Sequence, residues 1–297
     1  MRKAVGLDLG GTKINGALVL EDGSILKKSS VKTMNEGDPQ KVIKQLADMV
    51  KTLSDGEDII GVGIGSPGFV DWEKGKIMAV GGNIKGWAWT DVKTGLRELL
   101  PLPVVVENDA NCAAICEAWL GAGKGFSSFV MLTLGTGLGG AIWLPKLGLW
   151  RGSSFRAAEL GHSILKPGGR KCTCGQNGCV ERYVSGTALE ENYYEFSGTR
   201  MEGARIVEAY GSDRFANESV DSFAKDLGVY LATLRNILDP QAFIIGGGVS
   251  TSMDIWWEIM LREFRNQVND PSLIEILPAE FGNESGMLGA AKCVFEL

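Results

Sequence analysis

Two glycine-rich turns, each set between β-prone runs, limit what this 297-residue chain can fold into. The first is Asp8-Leu9-Gly10-Gly11-Thr12-Lys13, between Lys3–Leu9 and Asn15–Leu20. The second, Leu134-Gly135-Thr136-Gly137-Leu138-Gly139-Gly140, follows about half a chain later between Ser128–Leu134 and Ala141–Leu144. Glycines let backbone N–H groups approach a phosphate, Thr12 and Lys13 add donors and charge, and Asp8 can hold Mg²⁺ through water. A plain hairpin turn satisfies the same pattern. The second turn also matches a dinucleotide fingerprint through Gly135, Gly137 and Gly140, with Glu159 at about the expected distance. That fingerprint must open a helix, however, and these glycines run into Ala141-Ile142-Trp143-Leu144-Pro145, a strand ended by proline. No Gly-Lys-Ser/Thr ends a glycine loop, which excludes the nucleotide-triphosphate P-loop.

Around the turns, strands and helices alternate, so the class is α/β. Ser24–Ser30 reads as the third strand of a meander after Glu21-Asp22-Gly23. Asp38-Pro39 caps a helix carrying Val42, Ile43, Leu46, Met49, Val50 and Leu53 at helical spacing. Ile59–Ile64 is a buried-strand pattern ended by Gly65-Ser66-Pro67-Gly68; a helix near Asp91–Leu100 and a strand at Val104–Val106 follow. In the second half, helical periodicity from Phe223 to Leu238 stops at Asp239-Pro240, ahead of the strand Ala242–Ile245. A last helix begins near Ser285. No linker marks a boundary, so the motifs place it near Asn108: a small domain of residues 1–108 with the last helix, about 285–297, and a larger one of residues 109–284.

Composition excludes several classes. The 30 Lys and Arg are scattered among 36 Asp and Glu, for a net charge of −6, and form no basic stripe, so nucleic acid is not an expected partner. Residues 126–145 carry no charge, but their glycines favour two buried strands around a turn over a membrane span. Asp8 interrupts any signal-type apolar core, which leads us to expect a cytosolic protein with reduced cysteines. Of the six cysteines, Cys112 and Cys116 lie one helical turn apart and read as packing. The tryptophans, Trp256-Trp257 included, read as core and interface. His162, the only histidine, follows Glu159 by three residues, so the two share a face of one helical turn. With Cys172, Cys174 and Cys179 it makes a closed tetrahedral set for a structural Zn²⁺. The tight Cys172-Thr173-Cys174 spacing is also compatible with a buried thiol cluster.

Taken in order, DLGGTK at Asp8–Lys13, the LGTGLGG turn, ENDAN at Glu107–Asn111, ELGH at Glu159–His162 and CTCGQNGC at Cys172–Cys179 resemble the ROK family of sugar kinases and regulators, within the actin-like ATPase superfamily. The resemblance runs from Gly6 to Ala291. It implies a two-domain actin-like (ribonuclease H-like) fold with an interdomain cleft. There Asp8, Gly10, Gly11, Thr12, Lys13, Gly135, Thr136 and Gly137 would hold the phosphates of ATP with Mg²⁺, and Gly247 and Gly248 would lie beside the adenosine, near Gly282-Asn283-Glu284 and Gly286. By the same resemblance Asp109 is the general base, its alternative reading being a helix N-cap, and Asn108 contacts the sugar hydroxyls. Gly68 and Asn83 would line the sugar-facing wall. Glu159, His162 and Glu181 would meet the sugar from a loop pinned by Zn²⁺ through His162, Cys172, Cys174 and Cys179. The implied activity is phosphoryl transfer from ATP to the 6-hydroxyl of a hexose, foremost glucose, by a homodimer. N-acetylglucosamine, N-acetylmannosamine and fructose are alternative substrates. The regulators of the family carry a helix-turn-helix domain ahead of the first turn, and Asp8 comes too early for one. One departure concerns the substrate: Ser154-Phe155-Arg156-Ala157-Ala158 puts an aromatic and a cation where the family shows small, glycine-rich residues.

Overall fold

A computed structural model describes residues 1–79 and 84–297, so Asn83 lies outside the described residues. In chain order the elements are β1 (Lys3–Leu9), β2 (Lys13–Leu20), β3 (Ile25–Lys32), α1 (Pro39–Leu53), β4 (Val62–Ser66), β5 (Phe69–Asp71), β6 (Lys76–Ala79), α2 (Val92–Leu99), β7 (Val104–Asn108) and α3 (Asp109–Trp119). There follow β8 (Phe129–Leu134), β9 (Leu138–Leu144), β10 (Gly148–Leu149), α4 (Gly186–Ser197), α5 (Gly203–Glu208), α6 (Arg214–Leu238), β11 (Ala242–Gly246), α7 (Met253–Gln267), β12 (Glu275–Pro278) and α8 (Ser285–Phe295). They form two compact units. One comprises Met1–Gly125, Leu149–Ala157 and Asn283–Leu297; the other comprises Phe126–Gly148 and Ala158–Gly282.

The first unit is built on a sheet of order β3-β2-β1-β4-β7, with β1 to β3 antiparallel and β1, β4 and β7 parallel. Strands β1 and β4 are almost wholly buried apolar runs, as covering on both faces requires. β3 is one edge strand of this sheet and carries lysines, which discourages pairing with another chain. Parallel registry aligns Asp8, Gly65 and Glu107 in one row at the carboxyl ends of β1, β4 and β7. Asp38 caps α1 by accepting from Gln40 N at 2.9 Å, with Pro39 in the first turn, as the sequence leads one to expect. β4, in contrast, starts at Val62 rather than Ile59.

Helix α8 closes this unit by backbone contact. A Cβ on Gly6, Gly63 or Gly289 would overlap the backbone of Met287, Ala290 or Cys112, respectively, so α8 lies directly on β1, β4 and α3. This packing carries the unit past the boundary expected near Asn108, as far as Gly125, because α3 buries Cys112, Ala113 and Cys116 beside α8.

The second unit has a sheet of order β10-β9-β8-β11-β12, in which β11 runs parallel to β8 and β12. Pairing of Leu134 with Leu138 confines the turn to Gly135-Thr136-Gly137, and Gly139 and Gly140 belong to β9. The uncharged stretch is therefore two strands, and no helix among the described residues is long and apolar enough to cross a membrane. α6 begins at Arg214, ahead of the periodic stretch, because Asp213 accepts from Phe215 N at 2.7 Å and Ala216 N at 3.0 Å. Trp256 is buried on α7 with its ring edge-on to Phe223, which makes it a core residue.

Gly63→Ala should cost about 1–3 kcal/mol, the usual penalty for overpacking, because its methyl group would meet α8 backbone rather than a side chain that can turn away. Denaturant unfolding of the purified protein measures this, and a loss under about 0.5 kcal/mol would contradict the backbone contact.

Candidate active site

The β1–β2 turn has its carbonyls tied back. Gly10 N donates to Lys13 O at 2.9 Å, closing the turn. Thr33 donates from its backbone N to Thr12 O and from Oγ1 to Gly10 O, while Asn35 Nδ2 donates to Gly11 O. A turn whose acceptors are committed in this way suits an anion, since its oxygens no longer repel it. Asp8 sits at the head of the turn. Burial raises its carboxyl above the ordinary range, opposed by a hydrogen bond with Asn15 and by the charge of Lys13. Ser30 Oγ donates to Asn15 Oδ1 at 2.9 Å and fixes that asparagine's orientation. A Cβ on Gly286 would stand 2.8 Å from Asp8 Cγ, so the first turn of α8 lies against this carboxyl. A buried carboxyl that resists ionisation alone fits a site that receives a cation.

At the end of β7, Asn108 takes the cap of α3, accepting from Asn111 N at 3.1 Å, and its Nδ2 donates to Gly68 O at 3.1 Å. The cap role therefore falls to Asn108, and Asp109 is the first residue of the helix, its Oδ1 accepting from Ala110 N at 2.8 Å. Gly68, at φ 98°, needs the freedom of glycine to bring its carbonyl there. Gly68, Asn108 and Asp109 are thus brought together in the first unit. Glu107 also belongs to this cluster, and so does Arg151, whose Nε donates to Glu107 Oε2 at 2.7 Å. Sequence reasoning assigned Arg151 no role, because a lone arginine forty-four residues away carries no periodic signal.

In the second unit the β8–β9 turn repeats the arrangement. Gly135 O accepts from Gly186 N at 2.8 Å and Thr136 O from Thr187 Oγ1 at 2.8 Å, so the N-terminus of α4 holds these carbonyls. A Cβ on Gly135 would meet nothing within 4 Å, whereas one on Gly137 would overlap the Glu181 carboxylate, which accepts from Leu138 N at 3.0 Å. Gly137 therefore leaves room for the Glu181 carboxylate. Gly247, at φ 89°, lies on the backbone of Leu134, while Gly248 faces open space. Gly286 lies against Asp8, in the first unit.

Glu159 precedes a 3₁₀ turn over Leu160–His162, which brings His162 Nε2 4.0 Å from Glu159 Oε2. The other ring nitrogen, Nδ1, is 3.6 Å from Cys172 Sγ, and Cys174 Sγ is 3.6 Å from Cys179 Sγ. All four donor atoms lie within 4.8 Å of one another. Tetrahedral Zn–S bonds of about 2.3 Å put ligand atoms about 3.7 Å apart, so the donor set fits that ion. Burial pushes the Cys179 thiol up to about 12, with hydrogen bonds to Cys174 and Cys172 adding to it. At Cys174 burial is outweighed by hydrogen bonds from Gln176 and the neighbouring thiols, and the group falls to about 7. Thiols sharing protons this unevenly suit a divalent cation that displaces those protons. Phe155 and Ala158 adopt positive φ, 58° and 61°, at a cost of about 1–2 kcal/mol for a residue with a Cβ. Arg156 lies over the Phe69 ring at 5.0 Å, next to Gly68.

Known proteins resemble the chain along its whole length. The glucokinase of Thermotoga maritima is 36% identical over 99% of this chain and 98% of its own. The N-acetyl-D-glucosamine kinase of Vibrio atlanticus is 31% identical over 96% and 97%. A ROK family glucokinase from Streptomyces griseus, solved in complex with glucose and AMPPNP, superposes with a TM-score of 0.87 at 34% identity, covering 99% of this chain and 100% of that one. Its fold is that of the actin-like ATPases. The ROK family model matches residues 4–296, and with both glycine turns, the ENDAN turn and the cysteine-histidine cluster inside that span, the chain belongs to the ROK family.

Proposed function

We propose that this protein transfers the γ-phosphoryl group of ATP to the 6-hydroxyl of a hexose, and that the hexose is glucose. The reading rests above all on Asp109. It opens α3 at the carboxyl end of β7, in a turn held by Asn108 and Gly68, where a carboxylate can accept a proton from an incoming hydroxyl. The full-length likeness to glucokinases supports the choice of substrate, since the N-acetylhexosamine kinase is the more distant relative of the two.

In this reading Asn108, Gly68, Asn83, Glu159, His162 and Glu181 bind the sugar hydroxyls. The sugar oxygen attacks the γ-phosphorus in line, the bond to the bridging oxygen of ADP breaks, and Asp109 takes the hydroxyl proton as the new bond forms. Gly10, Gly11, Thr12 and Lys13 of one turn and Gly135, Thr136 and Gly137 of the other serve the phosphates; Gly247 and Gly248 serve the adenosine. Asp8 would hold the water shell of a Mg²⁺ bound with the nucleotide, an ion that would neutralise phosphate charge. His162, Cys172, Cys174 and Cys179 would hold a structural Zn²⁺, four protein ligands leaving no position for water, and it would fix the orientation of His162 toward Glu159. Thiolate ligands fit a reducing compartment such as the cytosol.

A coupled assay with ATP and Mg²⁺ over glucose, fructose, mannose, N-acetylglucosamine and N-acetylmannosamine tests the substrate, with glucose expected to have the highest kcat/KM. A higher value for either acetylated sugar would overturn glucose but not the reaction. In the same assay Asp109→Asn should cut kcat by roughly 10²–10⁴ while glucose binding persists; a variant keeping a tenth of wild-type kcat would remove Asp109 from the base role.

The second turn permits a finer test. Gly135→Val should raise the KM for ATP far more than that for sugar, because its side chain would enter open space by the turn. Gly137→Val should impair sugar and nucleotide together by displacing Glu181. If both variants changed the ATP constant alone, Glu181 would have no part in holding the sugar.

The purified protein should carry about one Zn²⁺ per chain, and Cys174→Ser should lose it along with about 10–100-fold in sugar affinity, ATP affinity changing much less. Elemental mass spectrometry and ligand titrations follow both; a fully active, metal-free wild type would end the zinc assignment.

A further inference from the structure

The carboxylate of Glu107 is 4% exposed, at the carboxyl end of β7. A buried charge in such a place is costly unless every lone pair facing the protein finds a donor. Glu107 finds three. Its Oε1 accepts from Asn108 N at 2.9 Å and from Asn111 Nδ2 at 2.9 Å, and its Oε2 accepts from Arg151 Nε at 2.7 Å. The first two contacts bracket Asp109 in the chain, fixing the residue before it and the residue two beyond it. The third brings in a distant segment, Leu149–Ala157, which belongs to this unit although both neighbouring stretches belong to the other. Arg151 is itself held from the far side, its guanidinium lying 4.6 Å from the centroid of the Trp72 ring.

We propose that Arg151 is a positioning residue for the phosphoryl transfer, acting through Glu107 to fix the turn that carries Asn108 and Asp109. Without the guanidinium, Glu107 keeps a desolvated charge with only neutral donors; it swings toward water and loosens Asn108 N and Asn111, the two points that set the pose of Asp109. Lysine replaces this poorly, since an ammonium supplies no planar face for Trp72 and no Nε at the same point of the chain. The same ion pair ties Leu149–Ala157 to the base turn, and that segment leads directly into Glu159. A change at Arg151 should therefore be felt in kcat and in the sugar KM, and not in the handling of the nucleotide.

This inference rests on the kinase reading above, and the test separates the two. The full chain is assayed with glucose, ATP and Mg²⁺ as wild type, Arg151→Met, Arg151→Lys, Glu107→Gln and the double variant Glu107→Gln/Arg151→Met, each checked for cooperative unfolding. Arg151→Met is expected to lower kcat by about 10–100-fold and raise the glucose KM, with the ATP KM within about twofold. Arg151→Lys should recover part of the loss. Glu107→Gln turns an amide toward Arg151 and should resemble Arg151→Met, and the double variant should be no more than about threefold worse than the poorer single one, as for two halves of one interaction. Should Arg151→Met fail to fold, Arg151→Lys and the isosteric Glu107→Gln carry the comparison. Wild-type kinetics in Arg151→Met, losses that multiply in the double variant, or an equal rise in the ATP KM would overturn the proposal. If wild type is active and Asp109→Asn inactive, such results refute the positioning role alone; if wild type phosphorylates no hexose, the kinase reading fails and this role fails with it.

Discussion

The direct contact of the α8 backbone with β1, β4 and α3 is the constraint on which the first unit depends. Helices usually stand off a sheet on their side chains, about 10 Å away. Here Gly6, Gly63 and Gly289 remove that spacer, and any Cβ at these points would overlap main-chain atoms. The consequence reaches the site: with α8 pressed on the sheet, Gly286 in its first turn comes against the Asp8 carboxyl. Burial disfavours the charged form of that carboxyl, and the hydrogen bond with Asn15 and the charge of Lys13 oppose it. Residues from the two ends of the chain thus build one corner, and the last thirteen residues or so are as necessary to the first glycine turn as the strands that flank it.

A second regularity appears in the two glycine turns. They differ in sequence and in the elements behind them, yet each has its carbonyl oxygens engaged from behind: by Thr33 and Asn35 in one case, by Gly186 and Thr187 in the other. Glycine alone only permits a tight turn. In both turns the acceptors are committed by residues some twenty to fifty positions away in sequence, which leaves fewer free oxygens to repel an anion.

That separation explains what the sequence could and could not tell. The strands β1, β8 and β11 and the capped helix α1 are legible because period, cap and glycine are local signals. α4, α5 and the β5–β6 hairpin are not, since their short apolar patterns take meaning only from the core they join. The metal set is legible for the opposite reason, a single histidine and three cysteines within eighteen residues, and the structure brings their donor atoms within 4.8 Å. At Asp109 the sequence offered base or cap. The structure separates the two, because Asn108 does the capping and leaves Asp109 one position further on. At Gly137 the sequence shows a glycine in a turn, but not that its missing side chain makes room for Glu181.

Phe155 and Ala158 carry the same logic to the substrate. Their positive φ values show that the backbone before Glu159 follows a path that glycine would follow without strain. The path is therefore imposed by its surroundings. Arg151 on Glu107 and Trp72, and Arg156 on Phe69, fasten the segment on either side of Phe155. A strained conformation persists only where neighbouring contacts over-determine it. These cation contacts hold the segment, and Arg156 and Phe69 lie next to Gly68.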